Sequence, residues 1–265
     1  MKNQNAKEAF VLVYNKDFSQ INEMRLTDMD AFVYVTMKLM AGNPHAFARL
    51  YATPDAICSY VFTTPAHDMP QRFVNELRSS LKRISENGYI PYKLDTENKP
   101  IRHLYDIGVV WKKDRESKLD SNKEPCTLVP ISAYKKIFTA FGLSETMKVR
   151  LFYFYIKLTS MIFYKTGVCT FSLDAISKKT NLSIQTVQDY IRVLETYKVI
   201  TVYHMGKNIK QYTNYPANVL GQYYNREHVL QCGQDVYDAF CSQHKIKKDK
   251  LDNDPTKTNI QQASI

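Results

Sequence analysis

From Phe171 onward the apolar positions recur at helical spacing in two short runs, then give way to β-branched, strand-like residues. Ser172 is placed to cap a helix that turns Leu173, Ala175 and Ile176 inward and leaves Lys178 and Lys179 in solvent. Thr180-Asn181-Leu182 breaks the pattern. Ser183 is a second N-cap, opening a helix from Ile184 to Glu195 with Val187, Ile191 and Leu194 as its core stripe. Gln185, Thr186, Gln188, Asp189 and Arg192 fall on its other faces. Val199 to Tyr203 then reads as a strand, Gly206-Lys207-Asn208 as a turn, and Gln211-Tyr212-Thr213 as the start of a return strand.

The first half follows the same order. Phe10 to Tyr14 is strand-like, and Thr27 caps a helix from Asp28 to about Met40 that ends at Gly42-Asn43-Pro44. Leu50-Tyr51-Ala52 forms a short strand, Thr53 a cap, Pro54 a first helical residue, and Asp55 to Tyr60 a short helix. After the longer turn Val61 to Asp68, Asp68 or Met69 caps a helix running to Asn87, with Gly88 beyond its end. Tyr89 to Lys93 and Ile101 to Tyr105 flank Asp95 to Lys99 as a second hairpin. Asp55-Ala56-Ile57 answers Asp174-Ala175-Ile176, and Leu77, Leu81 and Ile84 answer Val187, Ile191 and Leu194. The spacing predicts a duplication, each copy a domain.

Lys112 to Glu124 is nearly all charged or polar, which predicts a linker over 112–126 between domains at 10–111 and 127–243. The second domain opens at Leu128-Val129-Pro130-Ile131, passes a short helix from Ala133 to Phe141, and reaches a buried helix capped by Ser144. Val149, Phe152, Ile156 and Phe163 share its stripe. Asn225 to Ser242 is helical, with Val229, Val236, Tyr237 and Phe240 as its apolar positions. His244 to Ile265 is polar and without periodicity, and disorder is expected over 244–265. The fold class predicted is mainly α with small β-hairpin wings (α+β), in two tandem winged helix-turn-helix domains.

Composition narrows the partners. Lys and Arg exceed Asp and Glu by 36 to 26, giving a net charge of +10, which favours a polyanion. The five cysteines are scattered, never in a C-x-x-C pair, which fits a reducing cytoplasm. The six histidines are equally dispersed, so local sequence assembles no zinc-ligand spacing and a metal site would have to be built by tertiary contacts; no cofactor is expected. The polar start predicts no secretory signal, and the apolar run Leu151 to Tyr164 is too short to span a membrane.

Such a helix pair suits double-stranded DNA, because an α-helix fits the major groove and amide and guanidinium groups can answer its donor and acceptor pattern. Gln185 and Gln188 lie near the N-terminal end of the second helix, where base contact is easiest, and glutamine suits adenine. Ser183, Thr186, Arg192, Lys178 and Lys179 complete that copy's candidate face, with Asp189 requiring a neighbour to pair with. In the first copy the face carries Gln71, Arg72, Asn75, Arg78 and Lys82, with Arg78 placed to read guanine. Lys207 and Lys210 in one hairpin, and Lys93, Lys99 and Arg102 in the other, suit phosphates or a minor groove.

Residues 171–200, from Phe-Ser-Leu-Asp-Ala-Ile through Leu-Ser-Ile-Gln-Thr-Val to Tyr-Lys-Val-Ile, resemble the winged-helix domain of plasmid and phage replication proteins of low-GC Gram-positive bacteria. Leu128 to Ile131 and the Leu143-Ser144 helix start resemble the lead-in of that domain. The resemblance covers roughly 128–215 and is weak over 10–110, where a second winged helix stands in place of the usual accessory domain. It implies binding to origin DNA in the bacterial cytoplasm, with a second copy of the chain or host replication factors as further partners. Transcriptional control of a mobile element is the alternative, and a protein-binding scaffold a third reading. An enzyme acting on DNA is not expected: no histidine pair accompanies the tyrosines and no Gly-x-x-x-x-Gly-Lys loop is present.

Overall fold

The computed structural model describes residues 9–14, 26–40, 49–51, 53–86, 108–110, 126–163, 165–206, 209–210, 212 and 215–246. These are mainly helical, with three two-stranded antiparallel sheets among the described residues. By packing, the chain divides into Met1–Lys157 and Leu158–Ile265. The hairpin expected over 89–105, the charged stretch 112–124 and the tail 247–265 lie outside the described residues.

The first unit is built on α1 (Asp28–Met40), buried on all sides from Met29 to Lys38. Thr27 and Asp30 cap it reciprocally: the Asp30 amide donates to Thr27 Oγ1 at 3.2 Å and the Thr27 amide to Asp30 Oδ2 at 3.0 Å. Asp30 is itself buried. Arg83, on α3 (Gln71–Glu86), answers its charge at 2.9 Å and also reaches Glu76 at 3.0 Å. Burial works against the Arg83 charge, but the hydrogen bonds to Asp30 and Glu76 outweigh it and raise its pKa. Arg83→Met therefore leaves a buried carboxylate without its cation. Because Arg83 is itself partly exposed, a loss of about 1–2 kcal/mol is expected in urea unfolding, below the value for a fully buried pair.

Strand β1 (Phe10–Tyr14) pairs with β4 (Cys126–Pro130), Leu12 opposite Leu128. Val11, Val13, Thr127 and Val129 turn inward, as the alternation of a half-buried strand requires. The helix after β4, α4 (Ile131–Phe138), delivers Tyr134 to Thr36, hydroxyl to hydroxyl at 2.6 Å, and Phe138 to Phe32, ring centroids 5.0 Å apart. Tyr153, on α5 (Glu145–Thr159), donates to Leu26 O at 3.0 Å. Residues 126–157 thus pack within the first unit. The sequence assigns 127–157 to the second domain, and Cys126 to the linker, because the spacing matches the second copy, but strand pairing and ring packing are decided by burial, not by repeat order.

The second unit follows the last turn of α5. That helix stops at Thr159, short of the expected Tyr164: the Met161 and Ile162 amides turn back to Leu158 O and Thr159 O, and the Phe163 amide donates to Val168 O. Phe163 is 51% exposed as a result, its ring tilted against that of Phe171 with centroids 5.8 Å apart, and is not part of the α5 stripe. Then come α6 (Leu173–Thr180), α7 (Ile184–Thr196), β5 (Ile200–Tyr203), β6 (Val219–Gln222) and α8 (Arg226–Gln243). The partner of β5 is β6, not the expected Gln211-Tyr212-Thr213. Val219 and Leu220 are apolar enough to be buried in the sheet, whereas Tyr212 sits in a bend and meets Phe240 on α8 and His244 at its C-cap, at 6.0 and 5.8 Å.

Two helix starts and ends share local geometry. Thr53 accepts from the Ala56 amide at the start of α2 (Pro54–Phe62), and Ser172 from the Ala175 amide at the start of α6. Both helices end on a left-handed residue, Thr63 (φ 56°) and Asn181 (φ 58°), whose amides return to Ser59 O and Ser177 O. Leu50 of β2 (Arg49–Tyr51) pairs antiparallel with Val109 of β3 (Gly108–Val110), and Cys169 bridges Leu220 in the same sense.

Candidate nucleic-acid interface

In the second unit the Asn181 turn sets α7 across the end of α6. Asparagine tolerates the left-handed conformation there, and Ser177 Oγ donates to Leu182 O at 2.6 Å, closing the turn from the other side. Ser183 then caps α7, accepting from the Thr186 amide at 3.1 Å. Its hydroxyl also lies 2.8 Å from Thr186 Oγ1, so Ser183 and Thr186 serve the helix start first. Val187, Ile191 and Leu194 bury the inner stripe as expected.

The outward face of α7 is organised by Asp189. Gln185 Nε2 donates to Asp189 Oδ1 at 3.0 Å, and Arg192 Nη1 lies 3.8 Å from the same oxygen. The neighbour that Asp189 requires is therefore present on both sides, at the i−4 and i+3 positions. This arrangement holds the Gln185 amide in one orientation and leaves its carbonyl and second N–H to face solvent. Gln188 is exposed beside it. On α6, Lys178 pairs with Asp174 at 2.6 Å and Lys179 lies over the Phe171 ring at 4.2 Å. Both are exposed, but each is already held by a neighbour. Lys210 is exposed, and Lys207 lies outside the described residues.

Behind this face, His204 Nε2 lies 3.1 and 3.2 Å from the two Glu195 oxygens, and Asn218 Oδ1 accepts from the Met205 amide at 3.0 Å. These contacts tie the end of α7 to the base of the loop between β5 and β6. Sequence reasoning missed them, because nothing in local spacing pairs residue 195 with 204 or 205 with 218.

The first unit has a corresponding outer face on α3. Gln71 Nε2 donates to Asn75 Oδ1 at 2.8 Å, and Arg78 Nη1 approaches the same oxygen at 3.4 Å. An amide, an acceptor four residues on and an arginine three further occur in both helices, but one turn apart in register: with Leu77 set against Val187, Asn75 answers Gln185 and not Asp189. Arg72 and Lys82 are exposed on α3 as expected. Lys93, Lys99 and Arg102 lie outside the described residues.

No group of three or more metal-ligating side chains gathers among the described residues, and none of the described helices is long and apolar enough to cross a membrane. Burial pushes the Cys58 thiol up to about 12 and the Cys169 thiol up as well, so both are protonated near neutral pH and are poor nucleophiles. Comparison with protein-family models, with curated proteins and with solved structures finds no match to the chain.

Proposed function

We propose that the chain is a sequence-specific double-stranded DNA-binding protein made of two winged helix-turn-helix domains, acting in plasmid- or phage-type replication initiation at origin repeats. The observation that carries this reading is the outer face of α7. It is a polar, amide-bearing surface at the capped start of a helix, held across α6 by a closed turn and tied to a hairpin at its other end. Recognition helices present their N-terminal residues to base edges in this arrangement. The shared caps, left-handed turns and strand pairings of the two copies support a second reading head on α3. The excess of basic residues supports a polyanionic partner.

The unlike central residues, Asn75 and Asp189, favour two different half-sites. Asp189 can only accept, as from cytosine N4, whereas Asn75 can also donate.

Selection of genomic fragments by the purified protein at about 0.15 M salt, followed by footprinting, tests the reading. Protection over repeats at an origin is expected. Protection over a promoter would assign the chain to transcriptional control instead, and no enrichment would remove DNA reading altogether. On the selected sequence, log K is expected to fall linearly with log salt, by about 0.9 for each phosphate neutralised. Arg78→Ala is expected to cost about 1–3 kcal/mol and relax preference at one base pair, whereas Lys210→Ala weakens all sequences alike. Equal losses on cognate and scrambled duplexes for both variants would overturn that division of roles.

A further inference from the structure

We propose that Ile184 is a specificity-determining residue that reads the C5-methyl group of thymine. The proposal rests on the DNA-binding reading and names what one part of that surface recognises. Ile184 is the first residue of α7 and is 44% exposed. The helix does not need it for anchorage, since Val187, Ile191 and Leu194 fill the inner stripe from the next turn onward, at 0, 8 and 0% exposure. A β-branched residue is also a weaker helix former than most alternatives at a solvent-facing position. Its place at the helix end thus leaves an aliphatic side chain exposed at an otherwise polar helix start, where a partner can reach it.

Its direction follows from the cap. Each Cα–Cβ bond in a helix tilts toward the N-terminus, so with Ser183 holding the helix start the Ile184 side chain leans toward the N-terminal end of the helix. That is the end a recognition helix brings closest to base edges. Gln188 lies one turn further along the same side, and Gln185 is the next residue in the chain. In the major groove the distinctive apolar feature of a base pair is the thymine methyl, while glutamine suits adenine N6 and N7. With one Gln185 N–H committed to Asp189, its carbonyl and second N–H match that adenine edge. Ile184 and Gln185, on adjoining faces of the helix start, thus form a reader for A·T pairs, the glutamine taking adenine and Ile184 the methyl of a neighbouring thymine.

The test uses the full chain and the duplex it selects, with each thymine replaced in turn by 2′-deoxyuridine, which lacks only the methyl group. Wild-type protein is expected to lose about four-fold in affinity at one or two positions, the equivalent of one buried methyl group. Ile184→Ala is expected to bind more weakly and to be indifferent to uracil at those positions, whereas Ile184→Val keeps part of the discrimination. The wild-type scan stands even if the alanine variant folds poorly. If no thymine matters to the wild-type protein, or if Ile184→Ala shows the same loss, the assignment is overturned while DNA reading survives. If no duplex is selected at all, DNA reading fails and Ile184 falls with it.

Discussion

Phe138→Ala is expected to cost the unit Met1–Lys157 about 3–5 kcal/mol, the range for truncating a large buried aromatic side chain. Phe138 is 3% exposed and stands at the centre of a ring cluster. Its centroid lies 5.0 Å from Phe32, 5.9 Å from Phe62, 4.6 Å from Tyr134 and 5.4 Å from Phe152. These neighbours come from four helices, so the space left by the ring cannot be closed by moving one of them. The loss should combine hydrophobic transfer with an unfilled cavity. Hydrogen exchange is the direct measurement. Amides of α1, α2 and α3 are expected to lose protection in the variant, while those of α7, β5 and β6 keep theirs. The contrary result, lost protection in β5 and β6 with α1 unaffected, would return residues 126–157 to the second copy, where the repeat spacing alone puts them.

Gly233→Val is expected to destabilise the second unit by about 3 kcal/mol or more, at or above the top of the range for overpacking. A Cβ at position 233 would stand 2.2 Å from Tyr203 Cγ and 2.4 Å from Tyr203 Cβ, so α8 could not lie where it does against β5. The tyrosine has little room to yield. It is 1% exposed and its hydroxyl donates to Gln234 Oε1 at 2.9 Å, one residue along the same helix. Helix propensity opposes the clash only weakly, since glycine gives up at most about 1 kcal/mol to other residues. Gly221 makes a similar approach on β6, with Val229 Cγ2 2.4 Å from the place a Cβ would take. Thermal unfolding of Gly233→Val beside an exposed control, Gln231→Ala, measures the effect. Equal midpoints for the two would show that α8 does not depend on this contact.

At the candidate site, the inward stripe of α7 and the exposure of Gln185 and Gln188 were legible because helical period sorts residues into faces without reference to the rest of the chain. The detail of that face was less legible. Spacing shows that Gln185, Asp189 and Arg192 can meet, but not that Asp189 draws both neighbours to one oxygen. Nor does it show that Thr186 is bound to the Ser183 cap, or that Lys179 rests on Phe171. Ile184 was passed over because, counted along the helix, it sits near the core stripe. Only its position at the helix end exposes it.

The sequence by itself determined the local pieces. Thr53, Ser172 and Ser183 each accept from the amide three residues on, where a short polar side chain before an apolar run is expected to do so. α1 begins and ends where its cap and apolar positions set it, and α8 covers nearly the predicted span. Such features depend on neighbours within about one turn, and a single chain segment contains all of them. Tertiary structure alone decided which strand meets which. β1 pairs with β4 across more than a hundred residues, and β5 takes Val219–Gln222. It also decided that α4 joins the core of the first unit and that α8 approaches β5 through a glycine. A strand carries the same backbone donors and acceptors whatever its partner, so the choice is made by the side chains that can be buried together once the helices have packed.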